Sequence, residues 1–388
     1  MDATKILEGV TTISESFAAD RAARQQRRSL DPADFAALRD AGFTLTGVPA
    51  DTGGIWRDVK TSTRDVAGIL RALAHGDSSV ALVSSMHPAV LSFWLATSNV
   101  PSEHAGAWSA QRRWVFEQAA REWFGTITSE PGSGGDVGKT KAAAARDGDG
   151  YRLTGQKHFG SGSGVTSFML TTGLPDGDTE PDWFFLDVRG VPWDGSRGVK
   201  LVAEWDGHGM AATQSHGMAF EGFPATRVAW PGNWRALSDA AAPFVGSLFT
   251  AVVLGIVETA VEAARAQIVK HPEQLRPWEQ VEWTRAESEA WLAEQAFEGM
   301  LRAVETKEFP HRDVLMGKET VAGLAEASLL RICRIIGGGT FSRRSPFGNW
   351  FEDVRALGFL RPPWGLAYDA LFASGLTQGS SGYFGTRS

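Results

Sequence analysis

The sequence predicts an α+β fold in which two helical regions flank a β-rich middle region. Apolar residues recur every three to four positions before residue 123 and after residue 230, and short β-forming segments lie between turn residues in the middle. With 43% hydrophobic residues, the 388-residue chain can build several cores. We expect an N-terminal helical domain (1–122), a β-barrel or sandwich domain (123–230) and a C-terminal helical bundle (231–388).

The N-terminal region carries the signals of several helices. Apolar residues recur with the helical period between Ile6 and Phe17, and Asp31 followed by Pro32 is typical of a capped helix start. The stretch "DSSVALVSSMHPAVLSFWLA" is apolar on nearly every face, which predicts a buried helix.

The middle of the chain changes to short segments rich in β-formers. "WFGTITSE", "SFMLTTGLP", "DWFFLDVRG" and "HGMAFEGF" are separated by Gly, Pro and Asp, and "RDGDGYRL" is typical of a hairpin. Helical periodicity then returns in "APFVGSLFTAVVLGIVETAVEAARAQIV" and in two further long segments before "GGGT".

Composition excludes several classes of function. The net charge is −7 and the basic residues are scattered, so we expect no nucleic-acid partner. The single Cys333 excludes an intrachain disulfide, and no His or Cys spacing is typical of a metal site, so we expect no metal. No signal layout is visible and no apolar run reaches membrane-spanning length. We therefore expect a cytoplasmic protein with no membrane partner.

The stretch "SEPGSGGDVGKT" (129–140) ends like a phosphate-binding P-loop. That loop needs a glycine five residues before the Gly of Gly-Lys-Thr, and residue 133 is Ser. The segment downstream also has the pattern of a hairpin rather than of a helix. The glycines therefore indicate a different role.

Four short motifs follow one another in order along the chain. They are "SEPGSGGD" (129–136), "YRLTGQK" (151–157), "FGS" (159–161), and Gly337-Gly338 with Glu352-Asp353. In this order and spacing they resemble the acyl-CoA dehydrogenase superfamily of flavoproteins, over essentially the whole chain. The resemblance implies the fold of that superfamily, with a flavin, FAD or FMN, seated between the β-domain and the C-terminal bundle.

The resemblance also implies which residues contact the flavin. By position, the segment that approaches the ring and the phosphates includes Thr126, Thr128, Ser129, Gly134 and Gly135. Phe159 is implied to lie against the flavin face, and Ser161 to form a hydrogen bond near flavin N5. Glycines allow close backbone approach, and hydroxyl groups tune a flavin without adding charge. The alternative is that residues 129–136 form only a tight turn.

The chain departs from the dehydrogenases at their catalytic base. In most members the Glu that removes a substrate proton stands eight residues after the Asp of the last motif, and here that residue is Arg361. An Arg, which is protonated at working pH, cannot take a proton from carbon. The second family position for this Glu falls in "APFVGSLFTAVVLG", which has no charged residue. An Arg-x-x-Phe-Gly cofactor contact is also missing, so FAD and FMN both remain open.

Two further stretches, "KHFGSG" (157–162) and "EWDGHGMAATQS" (204–215), resemble the reduced-flavin monooxygenase branch of the same fold, such as the dibenzothiophene monooxygenases. That branch needs no such base and takes flavin from a separate reductase. The resemblance implies an O2-using monooxygenase of an aromatic or polycyclic small molecule. Candidate catalytic residues are His87, Ser161 and Arg361. His87 is either an active-site residue or a satisfied core histidine, and Arg361 either holds an anion or lies on a solvated face.

Two other functions stay open at this point. The chain is alternatively an acyl-CoA dehydrogenase or oxidase with an unrecognised base, or a catalytically silent subunit of such an enzyme. The resemblance further implies a homotetramer or homodimer assembled through the C-terminal bundle.

Overall fold

The computed structural model describes residues 2–377; the end of the expected C-terminal bundle, residues 378–388, lies outside the described residues. Within the described part, six α-helices precede the first strand. They are α1 Ala3–Ala19, α2 Arg21–Arg24, α3 Pro32–Asp40, α4 Val59–Gly76, α5 Ser78–Leu95 and α6 Ser102–Ala119. Asp31 caps α3 as expected, because its side chain accepts a hydrogen bond from Ala33 N.

Seven strands follow in the described chain. They are β1 Phe124–Thr126, β2 Ala143–Asp147, β3 Gly150–Gly160, β4 Phe168–Pro175, β5 Asp182–Asp187, β6 Val199–Ala203 and β7 His216–Arg227. The pairings β4–β2, β2–β3, β3–β7, β7–β5 and β5–β4 close a ring, while β1 pairs with β4 and β6 with β7. The predicted β-rich middle region is therefore a barrel.

Five α-helices follow the barrel in the described residues. They are α7 Trp234–Ile268, α8 Pro277–Thr306, α9 His311–Ile336, α10 Pro346–Val354 and α11 Trp364–Thr377. The predicted α+β fold, with helices before and after a β-rich middle region, is confirmed. The domain boundaries proposed from the sequence stay predictions.

The helices on either side of the barrel share one hydrophobic core. Leu70 on α4, Phe244 on α7 and Leu329 on α9 are all buried in it. Arg71 on α4 extends this core contact with ion pairs, because its guanidinium donates to Glu294 of α8 at 2.6 Å and also to Glu258 of α7. The first and last thirds of the chain therefore stabilise each other through this shared core.

Helices α5 and α7 are long and apolar enough, by length and composition alone, to cross a membrane. The expectation that no apolar run reaches that length is therefore wrong. In each helix 83% of the apolar window is buried inside the protein, as in the core helices of soluble proteins. Two such buried helices are weak grounds for a membrane span, and the absence of a membrane partner stays a prediction.

Asp353, near the end of α10, connects all three parts of the chain. Its carboxylate accepts hydrogen bonds from Met210 N at 2.6 Å, in the loop before β7, and from Ser78 Oγ at 2.5 Å, at the start of α5. The contact is close: a Cβ on Gly209 would lie 2.2 Å from the carbonyl oxygen of Glu352. Burial raises the pKa of the Asp353 carboxyl to about 6, although both hydrogen bonds act in the opposite direction.

We expect the substitution D353N to remove a pH dependence of stability between about pH 4 and pH 6. In this range the folded protein keeps a proton on Asp353 that the unfolded chain has lost, so the stabilisation from this group falls as pH rises. Asn keeps an acceptor for Met210 N and carries no charge to desolvate. Denaturant unfolding at several pH values measures the slope, and an unchanged slope in D353N would contradict the assignment. D353A, which leaves Met210 N without a partner, should be less stable than D353N at every pH.

Candidate functional site

The loop at 129–140 is closed on itself by Glu130. The Glu130 carboxylate accepts from Lys157 Nζ at 2.5 Å, from Lys141 N at 2.6 Å and from Ala142 N at 3.2 Å, and also from the Thr140 hydroxyl. Lys157 is fully buried and comes from β3, so the loop is fixed to the barrel. The Lys-Thr pair that resembles the end of a P-loop thus has a different role here, because the Thr140 side chain contacts both Glu130 and Lys157.

The two glycines predicted to approach a flavin have the backbone that the prediction requires. Gly134 and Gly135 have φ of 63° and 82°, in the left-handed region that favours glycine. A Cβ at Gly134 would touch nothing within 4 Å, whereas one at Gly135 would lie 2.8 Å from the Pro363 ring. The loop therefore exposes bare backbone at Gly134. At Gly135 it packs instead on the segment that follows Arg361.

The other predicted contacts in this segment lie along β1 and just after it. Thr126 Oγ1 donates to the Leu170 carbonyl at 3.2 Å, and Thr128 is buried. The Ser129 carbonyl accepts from His158 N at 2.7 Å, which places the start of the loop beside the residue that precedes Phe159. The structure thus brings the predicted segments together at one end of β3.

Phe159 and Ser161 lie at an irregularity in β3. Phe159 has φ of 58°, which breaks the alternation of the strand, and its ring is 57% exposed. Ser161 is nearly buried, and its Oγ lies 2.8 Å from Ser215 Oγ. The Phe ring is therefore presented outward while the neighbouring hydroxyl is held inside.

Ser161 belongs to a chain of three hydroxyl groups, Ser161, Ser215 and Thr213, which we call the hydroxyl chain. Ser215 Oγ lies 2.7 Å from Thr213 Oγ1, and Thr213 donates to the Met210 carbonyl at 2.9 Å. Thr213 and Ser215 were not predicted as site residues, although the Thr-x-Ser end of "EWDGHGMAATQS" carried the signal. The pairing of β3 with β7 brings them to Ser161.

Backbone strain in the described chain is concentrated at this place. The non-glycine residues with positive φ are Phe159, Met210 and Gln214, at 58°, 50° and 47°. Each such residue costs on the order of 1–3 kcal/mol and persists only where its surroundings enforce it, which is typical of functional sites. All three flank the hydroxyl chain, so the strain coincides with the site that the motifs predicted.

Arg361 lies beside the glycine loop without an acidic partner. Among residues 2–377 no carboxylate is within ion-pair distance of its guanidinium, and burial lowers its pKa to about 10. Its charge also acts on Lys157, whose pKa is lowered to about 8, mainly by burial. The adjoining Pro362 carbonyl accepts from Lys318 Nζ at 2.8 Å, which fixes the segment. Arg361 is a partly buried cation that remains charged at neutral pH.

His87 has the surroundings of a core histidine rather than of a catalytic one. It is fully buried, its Nε2 donates to the Thr44 carbonyl at 2.9 Å, and its Nδ1 accepts from Phe124 N at 3.2 Å. Burial lowers its pKa to about 4. Both ring nitrogens are occupied by backbone groups, so nothing in this arrangement supports the predicted catalytic role.

We expect H87A to lower the free energy of unfolding by about 2–3 kcal/mol, since it opens a cavity and leaves Phe124 N and the Thr44 carbonyl unpaired. Denaturant unfolding measures this loss. At a temperature where the variant is folded, turnover should stay within about twofold of the wild type. If a folded H87A protein lost activity by orders of magnitude, His87 would instead be catalytic.

The chain is similar in sequence to oxidoreductases of two kinds. It is 27% identical to dibenzothiophene monooxygenase of Mycolicibacterium goodii, over 69% of this chain and 61% of that protein. It is 26% identical to a putative acyl-CoA dehydrogenase of Bacillus subtilis strain 168, over 92% of each chain. The match to the monooxygenase thus spans less than two thirds of that relative's length. No protein-family model matches the sequence.

The fold is similar to that of solved flavoproteins. FMN-bound TdsC from Paenibacillus sp. A11-2 superposes with a TM-score of 0.78, at 19% identity and over 96% of this chain and 98% of that one. At this identity the likeness establishes the fold and leaves activity to the site itself. The chain is thus similar in sequence to a monooxygenase and to a putative acyl-CoA dehydrogenase, and it has the acyl-CoA dehydrogenase-like fold.

Proposed function

We propose that the protein is a flavin-dependent monooxygenase that uses O2 and flavin reduced elsewhere to oxygenate an aromatic or polycyclic small molecule. The observation that carries the proposal is that Arg361 stands where the dehydrogenases have their base, in a chain that keeps the glycine loop, Phe159 and Ser161. The monooxygenase and FMN-bound relatives support the same reading.

The residues at the site fit a flavin. Gly134 offers backbone with open space where a side chain would stand, and Phe159 presents an exposed ring to a flat ligand. Ser161, two residues further along, carries a hydroxyl that adds no charge to the site. When bound in reduced form, a flavin supplies the electrons that activate O2. The chain's own residues then orient the flavin and hold the substrate against it.

A dehydrogenase is disfavoured because neither family position for the base holds a carboxylate, residue 361 being Arg. Residues 242–255 of α7 carry no charge, and the next carboxylate on that helix is Glu258. Burial opposes ionisation of Glu258, but hydrogen bonds from Arg71 and His75 prevail and lower its pKa to about 2. Glu258 is thus an ion-pair partner and a poor proton acceptor.

The silent-subunit alternative predicts that the purified protein binds no flavin.

Arg361 is proposed to hold an anionic group of the substrate rather than to transfer protons. It is charged, partly buried and without an acidic partner in the described chain, so a carboxylate or phosphate on the ligand would satisfy it. The substrate class is then an aromatic compound that carries an acidic group.

The function is tested by supplying FMN, NADH, an unrelated flavin reductase and 18O2 with a panel of sulfur, nitrogen and carbocyclic aromatic acids. The expected result is a product that carries one 18O atom. The matched control is G135V, which places a branched side chain at φ 82° against Pro363 and should abolish flavin binding. Bleaching of bound flavin by acyl-CoA thioesters without O2, together with no oxygenated product, would instead identify a dehydrogenase.

We further propose a cytoplasmic homotetramer or homodimer that receives its flavin from a partner reductase. Large apolar side chains are exposed on the C-terminal helices, among them Trp291 of α8 and Phe372 of α11, 61% and 72% exposed. Such residues are typical of surfaces covered by another subunit. Light scattering after size exclusion measures the assembly.

A further inference from the structure

We infer a direction for the hydroxyl chain by counting protons. Thr213 has one hydroxyl proton and donates it to the Met210 carbonyl at 2.9 Å, because a carbonyl can only accept. Ser215 must then be the donor in its 2.7 Å contact with Thr213, and Ser161 the donor in its 2.8 Å contact with Ser215. Ser161 has therefore used its proton, and only its lone pairs remain for another group.

The carbonyl end of the hydroxyl chain is held firmly. Trp205 Nε1 donates to the same Met210 oxygen at 3.0 Å, and Asp353 accepts from Met210 N at 2.6 Å. The Thr213 carbonyl accepts from Gly162 N at 2.8 Å, which joins the loop to the end of β3. Thr213 is fully buried, so little water competes for its hydroxyl. Reversing the direction would point the Thr213 lone pairs at the Met210 carbonyl.

A flavin presents opposite hydrogen-bonding groups at N5 in its two redox states. Reduced flavin carries an N5–H donor, whereas oxidised flavin has a lone pair at N5. If the Ser161 hydroxyl can only accept, it can take a hydrogen bond from the N5–H of reduced flavin. Towards oxidised flavin it turns a lone pair against the lone pair of N5, which is repulsive.

We propose that Thr213 and Ser215 are positioning residues that make the site selective for reduced over oxidised flavin, by fixing Ser161 as an acceptor. The proposal rests on the proposed function and adds a reason why flavin reduced elsewhere is retained. One hydrogen bond with reduced flavin, compared with one lone-pair mismatch with oxidised flavin, corresponds to a ratio of about tenfold between the two dissociation constants. For a two-electron couple this preference raises the potential of the bound flavin by about 30 mV over the free flavin.

The experiment compares dissociation constants for oxidised FMN, by fluorescence in air, and for dithionite-reduced FMN, by anaerobic titration. In T213V and S215A the Ser161 proton is released, so we expect oxidised FMN to bind up to about tenfold more tightly while the affinity for reduced FMN stays within about twofold. T213S keeps the hydroxyl and should behave as the wild type. S161A should lose affinity for reduced FMN. Circular dichroism and the melting temperature check that each variant is folded.

The outcomes separate this inference from the proposed function. The inferred direction of the hydroxyl chain would be wrong if the wild type bound both forms equally, or if T213V and S215A left the affinity ratio unchanged. Either result would leave the proposal of flavin binding intact. A wild-type protein that binds neither form would overturn the proposed function and this inference with it. A potential of bound FMN that falls by about 30 mV from wild type to T213V would support the inference without any measurement of turnover.

Discussion

Replacing Lys157 by Met should lower the free energy of unfolding by about 3–5 kcal/mol, the largest loss of stability expected here. Lys157 is fully buried and its ammonium contacts Glu130 at 2.5 Å, Thr140 at 2.9 Å and Thr172 at 3.3 Å. Met fills a similar volume, so the cost comes from a Glu130 charge left buried without its counter-ion. Denaturant unfolding measures the loss. Loosening of the 129–140 loop should also weaken flavin binding.

Two further variants test whether the lost charge pair is the cause. The double substitution E130Q/K157M leaves no uncompensated charge and should regain a large part of the stability, so the two changes are strongly non-additive. K139M removes a lysine from the same loop, where its side chain is 67% exposed and 3.5 Å from Asp136. It should change stability by less than about 0.5 kcal/mol. Additive effects of E130Q and K157M would show that packing, and not charge, governs the site.

The sequence predicts those parts of the fold and site that local signals specify. Hydrophobic periodicity is read over a few turns of chain, so the order of helices and strands follows from it. Gly134 and Gly135 are recognisable because a turn with positive φ needs glycine. Phe159 and Ser161 stand in one short motif, and their contact with a flavin stays a prediction.

The contacts that complete the site depend on residues far apart in sequence. Glu130 meets Lys157 across 27 positions because Ser129 pairs with His158, and Ser161 meets Ser215 across 54 because β3 pairs with β7. No short-range pattern encodes such pairings. The surroundings of His87 are likewise not readable from nearby residues, since its backbone partners, Thr44 and Phe124, lie 43 and 37 positions away; its catalytic role stays a prediction.

Replacing Arg361 by Leu should lower kcat/KM for an acidic aromatic substrate by about 100-fold, chiefly through KM. A charge-assisted hydrogen bond to a carboxylate in a partly buried site contributes about 2–3 kcal/mol, which corresponds to roughly this factor. R361K keeps the charge but loses the planar fork, so a loss of about tenfold is expected. Because the Arg361 pKa is about 10, KM should stay constant from pH 6 to 9. Steady-state kinetics with a coupled flavin reductase measure each value.

A comparison of an aromatic acid with its methyl ester separates anion binding from general damage to the site. The wild type should prefer the acid, whereas R361L should treat acid and ester alike, because only the acid offers an anion for the guanidinium. R355Q is the matched control: Arg355 lies in the same segment but is largely exposed and paired with Glu352 at 2.6 Å. It should leave the preference unchanged. If R361L lost activity towards acid and ester equally, Arg361 would instead act on the flavin or on the loop at Gly135, and the substrate would not need an acidic group.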